Sequence, residues 1–109
     1  MQKILRTLMV AAIAVSSLTT TAAAGIQDFI VRNLSGNSVF FVYVSPDYSD
    51  SWEEDVLGND VLMPGNETDI LMNGYGDHCW FDIKIEDEVG NVVEYYDVDL
   101  CTVLYVDFY

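Results

Sequence analysis

Phe81, Ile83 and Ile85 alternate with Asp82, Lys84 and Glu86. A two-residue period is that of a β-strand with one apolar face and one wet face. The chain turns over Glu88 to Asn91 and returns through Val92 to Leu100. A last run, Thr102 to Tyr109, sets Leu104, Val106 and Phe108 against Val103, Tyr105 and Asp107 in the same way. Earlier, Ile26 to Val31 and Val39 to Val44 are two apolar, β-rich runs parted by Asn33, Ser35, Gly36 and Asn37, a pattern that predicts a hairpin. The second of these runs is apolar on both faces (Val39, Phe41 and Tyr43 against Phe40, Val42 and Val44), which predicts a central strand. Pro64-Gly65 suits the middle of a type II turn, because glycine accepts the positive φ needed there, and Thr68 to Met72 reads as the strand that follows. No stretch of this part of the chain carries a helical stripe. About six strands with a turn every 8–12 residues or so predict an all-β fold, a small antiparallel β-sandwich or barrel-like roll.

The pattern begins only after MQKILRTLMVAAIAVSSLTTTAAAG. There Lys3 and Arg6 precede an apolar run from Leu8 to Val15 that is too short to span a bilayer, and Ala22 and Ala24 occupy the small-residue positions that a signal peptidase reads. Residues 1–24 are therefore expected to be a signal peptide, and residues 25–109 a single β-sandwich domain, periplasmic or secreted, with no membrane insertion after cleavage. Removing 24 of the 109 residues leaves 85, enough for one core and too few for two.

Charge narrows the partners. Of the four basic residues two lie in the leader, so Arg32 and Lys84 stand against all 18 acids, a net charge of −16 over residues 25–109. Phosphate backbones and anionic lipid call for Lys and Arg, so the charge argues against nucleic acid and equally against anionic lipid as partners. Cationic partners, divalent ions and simple solubility remain. Every Trp, Tyr and Phe of the chain also lies in these residues, which argues against disorder.

The candidate chemistry is sparse. Cys79 and Cys101 in an exported chain predict a disulfide, since an oxidising compartment favours one. With the turn centred on Val89-Gly90, Cys79 comes opposite Leu100, and one bulge in the returning strand would bring the sulfurs together. No CxxC or HxxxH accompanies the single histidine, His78, so a zinc site is not indicated. The loop PDYSDSWEEDVLG carries Asp47, Asp50, Glu53 and Asp55 and is the one candidate for calcium. It fails the EF-hand pattern, with Trp52 where glycine is needed and Gly58 where a bidentate Glu must sit, so any site there would be irregular. The indole of Trp52 is expected to fold over the end of the core; exposed beside Tyr48, it would instead make a partner-binding hot spot.

The order of YVSP (Tyr43 to Pro46), Trp52, Asp55, Leu57-Gly58, Leu62, Pro64-Gly65, the Cys79, Phe81, Asp82, Ile83 strand and the closing Val98, Leu100, Cys101 resembles a group of small exported bacterial proteins of unknown function. The resemblance covers nearly all of residues 25–109, with Trp52-Glu53 here where the group commonly has Trp-Gly. It implies export and a small β-sandwich and supplies no mechanism. Some members carry an argininosuccinate lyase label, which fits large, mostly helical oligomers and not a short chain of strands. No nucleophile elbow or base-paired nucleophile occurs, so the expectation is a non-catalytic acidic module that binds a protein or cell-surface component, with a calcium-dependent module as the alternative.

Overall fold

A computed structural model describes residues 25–109; the expected leader, 1–24, lies outside the described residues. The described residues are all-β, with β1 (Phe29–Asn33), β2 (Val39–Pro46), β3 (Glu67–Ile70), β4 (Trp80–Asp87), β5 (Val92–Asp99) and β6 (Tyr105–Phe108). They form two three-stranded sheets, ordered β3-β1-β6 and β2-β4-β5. The alternation read from the sequence is the packing itself. Phe81, Ile83 and Ile85 of β4 are fully buried and meet Val42 and Val44 of β2, with Phe29 and Val31 of β1 and Phe108 of β6 in the same core cluster. Burying each such side chain contributes about 1.5–3 kcal/mol.

The β4–β5 hairpin follows the expected register. Pairs run from Glu86↔Val92 to Ile83↔Tyr95, then shift by one residue before Phe81↔Val98. The shift has a physical reason. Strict alternation along Val93 and Tyr95 would turn Asp97 into the core. A bulge instead lets Tyr96 and Asp97 both face outward, and Val98 returns to the core cluster. Asp97 takes a left-handed backbone (φ 55°), and its N–H donates to Asp82 Oδ1 at 3.0 Å. Beyond the bulge Leu100 N–H donates to the Cys79 carbonyl at 2.9 Å, and Cys79 and Cys101 are joined in a disulfide with Cα atoms 5.2 Å apart.

Four expectations are corrected. β1 and β2 do not form a hairpin: they belong to different sheets, and residues 34–38 carry the chain from one sheet to the other. The Asn33 side chain sets this corner. Its Nδ2 donates to the carbonyls of Asn37 (2.7 Å) and Leu62 (2.9 Å), and its Oδ1 accepts from Ser35 N–H (3.0 Å) and Ser35 Oγ (2.7 Å). Secondly, the sandwich is not wholly antiparallel, because β6 runs parallel to β1 (Ile30↔Tyr105 to Asn33↔Phe108). The turn at Leu100–Cys101 ends β5 and a connection carries the chain to the other sheet, so Thr102 to Leu104 are not strand. Thirdly, β2 is not a central strand. β4 is its only named neighbour, and its other side meets the isolated bridges Val39↔Leu62 and Tyr43↔Asp55. Lastly, β3 starts and ends earlier than Thr68 to Met72, at Glu67–Ile70. The Pro64-Gly65 turn is present, with Gly65 at φ 82° and Asn66 N–H donating to the Met63 carbonyl at 3.1 Å.

Candidate binding face

Each sheet turns one face to solvent, and each face has one basic residue at its centre. On the β3-β1-β6 face Arg32 is consumed internally. Its guanidinium makes a bidentate pair with Asp107 (2.7 and 2.9 Å) and lies 4.2 Å from the centre of the Tyr105 ring. The pair holds the Asp107 carboxyl below its ordinary range, chiefly through the Arg32 hydrogen bond, with burial opposing.

The β2-β4-β5 face is built differently. Lys84, on the central strand, makes no ion pair among the described residues. Its Nζ lies 5.5 Å from the Tyr43 ring centre and 5.9 Å from that of Trp52, both within the reach of a cation–π contact. Tyr43 stacks on Phe41 (6.0 Å, 11°), and Trp52 leans on Tyr96 (6.2 Å, 42°). Four rings and one ammonium thus form a ridge across the sheet. Its ends are open: Phe41 is 37% and Tyr96 59% exposed. A slip of register between Val39 and Phe41 adds Phe40 to the exposed surface beside Phe41. Burial raises the Tyr43 phenol above its ordinary value with help from Asp55 and Glu86, and a hydrogen bond to Glu94 (2.6 Å) does the same for Tyr96. Both rings are neutral at physiological pH.

Trp52 therefore does not fold over the end of the core. It is half-buried against the wet face of the sheet, and the part of the core plug is taken by Leu57, Val56 and Tyr75. Its loop is tied to β2 by Glu53 N–H donating to Ser45 Oγ at 2.8 Å, which also buries Ser45. Beside the indole, Ser45, Ser49, Asp50, Asp82 and Tyr96 enclose a recess of about 140 Å³. A larger recess of about 470 Å³ lies along Leu57 to Thr68 and has no aromatic lining.

The other expected site residues are dispersed. Tyr48, 71% exposed, packs edge-on against His78 (5.1 Å) and not beside Trp52. Asp47 accepts from His78 Nε2 at 3.0 Å, and the Trp80 carbonyl shares the same nitrogen at 2.8 Å. Two acceptors at one nitrogen require Nε2 to carry the proton. Glu53 accepts from the Tyr75 hydroxyl at 3.2 Å. Asp55 Oδ1 accepts from the backbone of Val42 (2.9 Å) and Leu57 (3.0 Å), tying the loop to the free side of β2. Asp50 alone of the four borders the recess. No three of Asp47, Asp50, Glu53 and Asp55 bring oxygens together; among the described residues the only such group is Asp99 with the disulfide-bonded Cys79 and Cys101.

Sequence reasoning missed Phe41, Tyr43, Lys84 and Tyr96 as members of one surface. What joins them is the register of the folded sheet, in which Tyr43, Lys84 and Glu94 are consecutive partners across three strands and rings recur on the wet side of β2 and β5. Compared with known proteins, the chain matches no family model, no curated protein and no solved structure.

Proposed function

We propose that this chain is an exported, non-catalytic binding module that engages a protein or cell-surface partner through the wet face of the β2-β4-β5 sheet. The observation that carries the reading is the ridge of Phe41, Tyr43, Trp52 and Tyr96, held on strands and on a loop tethered to them. Large rings presented on a rigid support lose little freedom on binding, which is why aromatic residues dominate interface hot spots. The remaining reactive groups support a non-catalytic role. The single histidine is engaged by Asp47 and a backbone carbonyl, and the two cysteines are bonded to each other. The disulfide is compatible with an oxidising extracytoplasmic compartment, where we place the module.

The test is comparative capture from a cell-envelope fraction. Wild-type chain is expected to retain a component that Trp52→Ala and Phe41→Ala lose, while Glu67→Gln on the opposite sheet retains it. Equal retention by all four proteins, with unchanged unfolding midpoints, would refute the face as the binding surface.

A further inference from the structure

Resting on the binding reading above, we propose that the recess beside the Trp52–Tyr96 ring pair takes a single cationic side chain, a lysine ammonium or arginine guanidinium, from a basic protein partner. Size is the first argument. Pockets for small-molecule ligands run to about 300–1,000 Å³, and one water occupies about 30 Å³. A recess of about 140 Å³ holds about four or five waters, the scale of one long side chain rather than a whole ligand.

The lining gives the sign. Two aromatic residues, Trp52 and Tyr96, and two acids, Asp50 and Asp82, border the same space, with Ser45, Ser49 and Ser51. Aromatic faces attract cations through the ring quadrupole, and carboxylates accept their N–H groups. The chain itself displays the interaction, since the Lys84 ammonium already lies 5.9 Å from the Trp52 ring. Asp82 is held in place by its own hydrogen bond, Oδ1 accepting from Asp97 N–H at the bulge, which leaves Oδ2 for a ligand.

Charge complementarity names the occupant. Residues 25–109 carry 18 acids against Arg32 and Lys84, and both of these are engaged, the first by Asp107 and the second by Tyr43 and Trp52. A field of that sign draws a basic surface in from a distance and repels a second copy of the same chain. The bulge at Tyr96 and Asp97 also breaks the exposed edge of β5, which discourages pairing with another strand.

The experiment titrates the purified chain with an octa-lysine peptide, an octa-arginine peptide, a neutral Gly-Ser octapeptide and cellohexaose, following tryptophan fluorescence. Asp50→Asn with Asp82→Asn removes both charges and keeps an Oδ1 acceptor for Asp97. Glu67→Gln with Asp69→Asn removes the same charge from the opposite sheet. The expected result is binding of both cationic peptides, weakened on the order of tenfold by the recess pair and less than about twofold by the distant pair. Trp52→Ala, which deletes the reporting indole and is therefore titrated by calorimetry beside wild type, should weaken it at least as much as the recess pair does. Equal losses from the two pairs would reduce the effect to diffuse charge and overturn the proposal, as would no binding of either cationic peptide. Cellohexaose binding that needs Trp52 but neither carboxylate would overturn it while leaving the face itself as a binding surface.

Discussion

Asn33 is fully buried, and its amide is the joint between the two sheets. Replacing it with alanine removes four hydrogen bonds at once. Each is worth about 1 kcal/mol net. Two of the partners keep a substitute: the Leu62 carbonyl still accepts from Val39 N–H at 2.9 Å, and the Asn37 carbonyl from Ser35 Oγ at 3.0 Å. Asn33→Ala should therefore cost about 2–4 kcal/mol, against the roughly 4–13 kcal/mol total stability of a domain this size. Asn33→Asp is the sharper probe. The new side chain still accepts from Ser35, but an oxygen now faces two carbonyl oxygens where Nδ2 stood, at a position buried from solvent. A buried, unpaired carboxylate costs several kcal/mol and escapes by holding its proton, so its folded pKa is raised above its unfolded value near 3.9. An acid with a raised folded pKa binds more protons folded than unfolded, so this contribution to stability falls as pH rises through the window above 3.9 and recovers on acidification. Denaturant unfolding of wild type, Asn33→Ala and Asn33→Asp between pH 4 and pH 8 reads the effect. Asn33→Asp should be the least stable at pH 8 and close on Asn33→Ala at the acid end. An Asn33→Asp midpoint equal to wild type at pH 8, with the same slope against pH, would refute this account of the corner.

Replacing both Cys79 and Cys101 with serine opens a cross-link between residues 22 apart and should cost about 3 kcal/mol in the chain-entropy model. That corresponds to a fall of roughly 12–24 °C in Tm, measured by circular dichroism; a loss under about 1 kcal/mol would contradict it. Wild type itself should lose stability on acidification. Burial opposes ionisation of Asp87, but hydrogen bonds from Asn91, Val89 and Asn37 outweigh it and lower its pKa, and Arg32 lowers that of Asp107. A lowered folded pKa gives stability that is present above the unfolded value near 3.9 and lost as pH falls below it, so the Tm should drop on going from pH 5 to pH 3, and a flat profile would be the wrong result. Calcium and magnesium at equal ionic strength should raise the Tm alike, because the carboxylates of the 47–55 loop point to separate partners; a calcium-specific rise abolished by Asp50→Asn would restore a site there. Asp97→Val should destabilise by about 1–3 kcal/mol and Asp97→Gly should not, since a β-branched residue resists the left-handed backbone that glycine accepts.

Where one face of a strand is buried, its pattern was legible. Phe81, Ile83 and Ile85 could be assigned to the core by alternation, and the turn at Val89-Gly90 set a register close enough to pair Cys79 with Cys101. The β1–β2 connection was not legible, because Asn33, Ser35, Gly36 and Asn37 are as suited to a corner between sheets as to a hairpin. Only the partners of the Asn33 amide, one of them Leu62, distinguish the two. The parallel pairing of β6 with β1 was hidden for a similar reason: alternation fixes which residues face inward and says nothing about strand direction. For the face of the sheet, Phe41 and Tyr43 read as a sign of burial on both sides. They are instead an outer ridge, and the sequence separates Tyr43, Trp52, Lys84 and Tyr96 by too much for spacing to join them.

The two wet faces start from the same material, one cation among aromatic residues and acids, and end differently because of where the carboxylates stand. Asp107 is one residue past Val106 on a strand parallel to β1, so it lies beside Arg32 in register, and the ion pair closes on itself. On the other sheet Lys84 pairs across to Tyr43 on one side and Glu94 on the other, and Glu94 accepts from the Tyr96 hydroxyl. The ammonium is left to the rings. A neutralised ion pair offers a partner little, since opening it sacrifices two charge-assisted hydrogen bonds. A face whose rings are propped apart by an ammonium, and whose neighbouring carboxylates Asp50 and Asp82 have no cation among the described residues, keeps its interactions for something outside the chain. Lys84→Met tests that division: it keeps a long apolar stem against Tyr43 and Trp52 and deletes the internal cation. If the rings and carboxylates serve an external cation, octa-lysine should bind Lys84→Met more tightly than wild type; weaker binding would mean that the ammonium is itself part of what the partner recognises.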